Sequence, residues 1–162
     1  MVDVDIQTVS IAIASASVTV AAIYYMWQIR HQTKIRQTDL IMRLSTQYTS
    51  EGFQRATSRV LESEFKDFDD FVKKYGFPSQ NDVLRSYRMV GSFFEGLGVL
   101  LSEKLIDTNL CQKLFAVDTY WEKAKPIVIG LRKRSDKPTL YEWFEYLYNE
   151  MKKREQKRQQ SA

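Results

Sequence analysis

The sequence predicts an all-α protein, with one N-terminal transmembrane helix followed by a cytoplasmic bundle of about four helices. Three observations carry that reading. Residues 6–29 contain no charged side chain. Beyond them, apolar residues recur at steps of three and four, the period of a helix with one buried face. The only strand-like alternation, "VSIAIASASVTV", lies inside the uncharged run, where it is too long and too apolar for a hairpin.

The first element is the span. Twenty-four uncharged residues rise about 36 Å as a helix, and a bilayer core needs about 20 apolar residues. Tyr24, Tyr25, Trp27 and Arg30 lie at its end, as an interfacial belt would. A signal peptide should open on basic residues, whereas this chain opens on Asp3 and Asp5. The trailing side carries Arg30, Lys34 and Arg36, which predicts a cell-membrane protein with its N-terminus outside and its C-terminal part in the cytoplasm. Small residues at four-residue spacing, such as Ser10 with Ala14, are compatible with self-association of spans but common in any Ala/Ser-rich helix.

Residues 30–50 read as a polar helical stalk that enters the domain at Leu40, Ile41, Leu44 and Tyr48, with Gly52 allowing a break. Residues 51–150 read as the bundle. Leu61, Phe65, Phe68, Val72 and Tyr75 predict one amphipathic helix. Asp67, Asp69 and Asp70 then fall on its wet side; the central Gly and distal Glu of a calcium loop are missing. Ser79 with Asp82 has capping-box spacing and starts the next helix, whose apolar face is Val83, Tyr87, Val90, Phe94, Leu97 and Leu101. Asp107 is the expected N-cap of a further helix running from Leu110 to Leu131, kinked at Pro126. Thr139 with Glu142 predicts the last capping box, and Leu140, Phe144, Leu147 and Met151 the last apolar stripe. Residues 151–162 read as a basic tail with five cations and one acid.

The chain of 162 residues suits one domain with a modest core. Its net charge of +4 is small but unevenly distributed: residues 62–70 carry five acids and one lysine, and the basic residues gather at the C-terminal end. One cysteine, Cys111, excludes an internal disulfide and reads as a small buried hydrophobe. One histidine, His31, excludes a His-rich metal cage; no metal and no cofactor are expected. A Ser-His-Asp or Cys-His arrangement is ruled out, because His31 lies in the stalk and Cys111 in the distant domain. "GSFFEG" has the glycine spacing of a phosphate loop, but Leu97 stands where Lys is required and no strand precedes it. Gly96-x-Gly98 fails as a dinucleotide fingerprint for the same reason. Instead Leu84, Arg88, Gly91, Glu95, Gly98 and Ser102 share one stripe, so Gly91 and Gly98 should admit a second helix close to Glu95.

Glu95, between Phe94 and a leucine-rich run, is the residue that most needs a partner. If the helices around Asp82 and Asp107 form a hairpin folded near Leu105, Arg88 stands level with Glu122 and the two should pair. Glu95 would then be neutralised by Arg88, Arg55 or Arg59. Arg88, Glu95, Glu122 and Arg132 are thus the candidate structural ion-pair residues; a hydrolase-like use of Glu95 with Glu122 is the alternative. The basic tail lacks interleaved aromatics, which disfavours nucleic acid and favours anionic lipid headgroups or plain solvation.

The runs "RMVGSFFEGLGVLLSEKLIDTNL", "YWEKAKPIVIGLRKR" and "PTLYEWFEYL" resemble a prokaryotic family of domains of unknown function. That family occurs in archaea and bacteria, often behind one N-terminal span. The resemblance covers residues 84–150, and its recurrent pattern matches Arg88, Phe94 with Glu95, residues 105–107, Trp121 with Glu122, Pro126 and Arg132. It implies the helical architecture and supplies no reaction. The resulting expectation is a membrane-anchored, non-enzymatic helical interaction or accessory module. Its partners would be the lipid bilayer and a protein or a second copy of the chain.

Overall fold

The computed structural model describes residues 5–76 and 82–160, and every regular element among them is a helix. Ser79, the expected cap, lies outside the described residues. The chain divides into two compact units, Met1–Asp39 and Leu40–Ala162.

The first unit lies on one helix, α1 (Ile6–Tyr48), which runs without interruption through the expected stalk. Its most apolar window has a mean hydropathy of 1.8, and none of that window is buried. α1 is therefore long and apolar enough to cross a membrane. Tyr24, Tyr25 and Trp27 are exposed on it, and Trp27 stacks on His31 at 5.6 Å. Within the second unit, the last turns of α1 are amphipathic: Ile41 is buried, and Leu40, Leu44 and Tyr48 pack on the core.

The chain leaves α1 at Thr49, earlier than Gly52 suggests, because Ser50 caps α2 (Glu51–Glu62) by accepting from the Phe53 N–H. The single helix expected over residues 61–75 is two. At Ser63 the backbone becomes extended, and its hydroxyl bonds the Val60 carbonyl and the Tyr87 phenol, each at 2.7 Å. α3 (Phe68–Tyr75) then starts afresh, with Asp67 accepting from the Asp70 N–H at 2.8 Å. A second acid serves the same restart, Asp70 accepting the Lys66 N–H at 2.9 Å.

α4 (Asp82–Ser102) is the central helix, packed chiefly on α7 and α2. Asp107 caps as expected, accepting from the Leu110 N–H at 3.0 Å, but the helix it starts is short. α5 (Thr108–Leu114) ends where Phe115 turns extended, and α6 (Val117–Ser135) follows. The Phe115 ring accounts for the break: it is buried against Tyr48 and Phe93, with centroids 5.2 and 5.7 Å away. α6 continues through Pro126. α7 (Glu142–Gln160) carries Phe144, Leu147 and Met151 into the core and continues as helix to Gln160, into the expected basic tail. The core closes around stacked rings. Phe94 lies on Phe144 at 4.9 Å and 14°, and Trp121 meets Phe144 edge-on at 5.0 Å.

Candidate functional site

The contact of α4 with the start of α7 gathers most of the residues singled out in the sequence. A helix N-terminus presents backbone N–H groups with no partner inside the helix. For α7 the missing acceptor comes from α4: a Glu95 carboxylate oxygen accepts the Phe144 N–H at 2.8 Å, and the Trp143 N–H also acts on it. Glu95 thus caps a helix from a distance of 49 residues along the chain.

The glycines on either side make that approach possible. A Cβ on Gly98 would stand 2.0 Å from the Trp143 carbonyl oxygen, and one on Gly91 would stand 2.9 Å from the Tyr141 ring. Gly96, one residue after the acid, faces open space. Tyr141, immediately before α7, has φ 58°, a left-handed conformation that few bulky residues adopt. Its ring is laid over Gly91, and Arg88 lies beside its phenol.

Electrostatically, burial raises the Glu95 carboxyl above its ordinary value. The two amide donors and the Arg132 cation pull it down, and Glu142 pushes it further up. Burial prevails. The Tyr141 phenol is raised for the same first reason.

Among the described residues neither the expected Arg88–Glu122 pair nor an ion pair of Glu95 with Arg88, Arg55 or Arg59 is formed. Arg132 does pair, but with Glu145 at 2.7 Å, while its Nε donates to the Leu140 carbonyl at 2.8 Å. It thereby ties the end of α6 to the loop and first turn of α7. Glu122 is exposed and accepts a hydrogen bond from Tyr148, whose phenol that carboxylate holds up to about 12. Arg88 is exposed, and no ion pair joins it to Glu122 among the described residues. The hairpin count behind that pair fails because α5 breaks the helix and α4 packs mainly on α7. Arg55 is engaged by Glu51 on its own helix. Glu95 and Glu122 have separate sets of neighbours: Phe144, Trp143, Glu142 and Arg132 for one, Tyr148 and Asp118 for the other.

Sequence reasoning did not reach Tyr141, Glu145 or Tyr148. No local signal links them to their partners, since each contact crosses between helices. Among the described residues, no group of three or more His, Cys, Asp and Glu is placed to hold a metal ion. Cys111 is fully buried, and burial pushes its thiol up to about 12. An open cleft of about 660 Å³ lies between the start of α3 and α6, lined by Phe68, Pro126, Ile129 and Lys133 among others.

An all-helical domain with a helix fit to span a membrane, closed by a carboxylate cap between its central and last helices, is the class the coordinates define. The chain belongs to the DUF4760 family, a domain of unknown function, whose model matches residues 11–151. No curated protein and no solved structure matches it.

Proposed function

We propose that this chain is a single-pass, membrane-anchored interaction module that works by binding rather than by catalysis. Its N-terminus lies outside the cell and its helical unit in the cytoplasm. The observation that carries this reading is the surface of α1. Every side chain from Ile6 to Trp27 is exposed, with Ile11, Ile13, Val18 and Val20 each more than 60% accessible. Leaving one such side chain in water forgoes roughly 1.5–3 kcal/mol of burial, so a run of them calls for an apolar medium. The basic residues after the run support the orientation. The binding role is supported by the employment of the acids: Glu95 caps α7, Glu145 holds Arg132, and Glu122 holds Tyr148.

The test uses the full chain in its native membrane. It should resist alkaline extraction, and an impermeant thiol reagent applied to intact cells should label Gln7→Cys and spare Gln159→Cys. Affinity purification from those membranes should then recover a stoichiometric protein partner or a second copy. Extraction into the soluble fraction overturns the anchor, labelling at residue 159 overturns the orientation, and recovery of the chain alone as a monomer overturns the binding role.

A further inference from the structure

We propose that the C-terminal part of α7 is a lipid-binding helix that recognises anionic headgroups; this rests on the membrane anchor argued above. Met151 is the last buried residue of α7, and nine described helical residues follow it, a rise of about 13 Å. From residue 155 to 160 every one is exposed. A helix that is polar all round stands in solvent unless something outside the domain meets it.

Its charges are not scattered. At about 100° per residue, Lys153, Arg154, Lys157 and Arg158 fall within one stripe roughly 140° wide. Glu155 and the glutamines at 156 and 159 lie off that stripe. Lys153 also meets Glu150 at 2.8 Å, at the base of the stripe, and Lys152 meets Glu155 at 3.8 Å on another side. A one-sided cationic stripe suits a planar anionic surface.

Magnitude and geometry then select the occupant. Each cation near an anionic leaflet is worth about fivefold in partitioning, so four give on the order of several hundredfold. That is too weak to recruit a free protein, yet ample for one already tethered. Single-stranded nucleic acid is disfavoured, because no aromatic residue lies between 152 and 160 to stack on a base.

The test reconstitutes the full chain, labelled with a fluorophore at Gln160→Cys, into vesicles of phosphatidylcholine alone or with about one-third phosphatidylserine. A quencher is carried on the lipid headgroups. Cys111 is buried and stays unlabelled. Quenching should be several-fold stronger with phosphatidylserine. It should fall towards the phosphatidylcholine level when salt is raised about tenfold, because surface charge is screened. Exchanging Lys153, Arg154, Lys157 and Arg158 for Gln should bring both compositions to one level. Equal quenching in the two vesicles for the parent chain overturns the proposal, as does a phosphatidylserine effect that survives the fourfold exchange. Salt-sensitive binding of polyuridylate by the same stripe, without any lipid effect, overturns it in favour of nucleic acid. Flotation with the vesicles is scored separately: a chain that inserts but shows no lipid effect removes this inference alone, and a chain that does not insert removes the anchor.

Discussion

The carboxylate of Glu95 and the backbone N–H of Phe144 meet at 2.8 Å, joining the middle of the central helix to the first turn of the last one. The contact is a cap supplied across the fold. It places an acid where an acceptor is needed, and it leaves the acid short of water. Those two effects pull in opposite directions on its charge, and they predict different outcomes for different substitutions.

Glu95→Gln keeps an acceptor at the amide nitrogens, so the full chain in detergent should melt within a few degrees of the parent. Glu95→Ala leaves those donors bare and should lose about 1–2 kcal/mol, the usual worth of a helix cap. Comparable losses for both variants would show that charge, rather than acceptance, is what α7 requires.

The pH dependence has a definite sign. In the folded chain the Glu95 carboxyl sits above its ordinary value because burial outweighs the Phe144 and Trp143 amides and Arg132, with Glu142 adding to the rise. The folded state therefore binds its proton more tightly than the unfolded one. That contribution is complete below the unfolded value and is lost as pH rises through the folded one. Melting curves from about pH 4 to 7 should show Glu95→Gln gaining on the parent as pH rises. A parent that gains on the variant would reverse the assignment and make the ionised cap the favoured form.

Two nearby glycines give a paired comparison. Gly98→Ala drives a methyl to 2.0 Å from the Trp143 carbonyl, and backbone has to move to relieve it, at a cost of about 2 kcal/mol or more. Gly96→Ala meets nothing within 4 Å and lies on an exposed helical face, so it should gain up to about 1 kcal/mol. Denaturant titration of both variants measures the difference. Equal effects would mean that α4 and α7 are not in close contact at Gly98.

Cys111 is a native reporter of that packing. Its thiol is fully buried and raised to about 12, so an alkylating reagent at neutral pH should leave it intact in the folded chain and modify it on unfolding. Rapid labelling under native conditions would place α5 outside the core.

Much of this fold is legible in the sequence because apolar spacing reports directly on which face is buried. Phe94, Leu97 and Leu101 on α4 and Phe144, Leu147 and Met151 on α7 all lie where their periodicity predicts. So does the close approach at Gly91 and Gly98, since a glycine on a helix face leaves room that a neighbour fills. The breaks at Ser63 and Phe115 are not legible. An uninterrupted step of three and four does not show that Phe115 gains more from burial against Tyr48 than from a helical backbone. The partner of Glu95 is missed for a related reason. Pairing arguments match side chain to side chain, whereas here the donors are backbone amides, which every residue but proline carries and no sequence distinguishes.

Because α7 supplies Phe144 and Leu147 to the centre of the core, a helix made after α2 to α6 completes it. During synthesis α2 to α6 emerge first, with the inner faces of Phe94 and Trp121 lacking their covering rings. Until α7 has joined them, the aromatic interior lacks part of its native cover, the kind of surface that makes a folding chain prone to association.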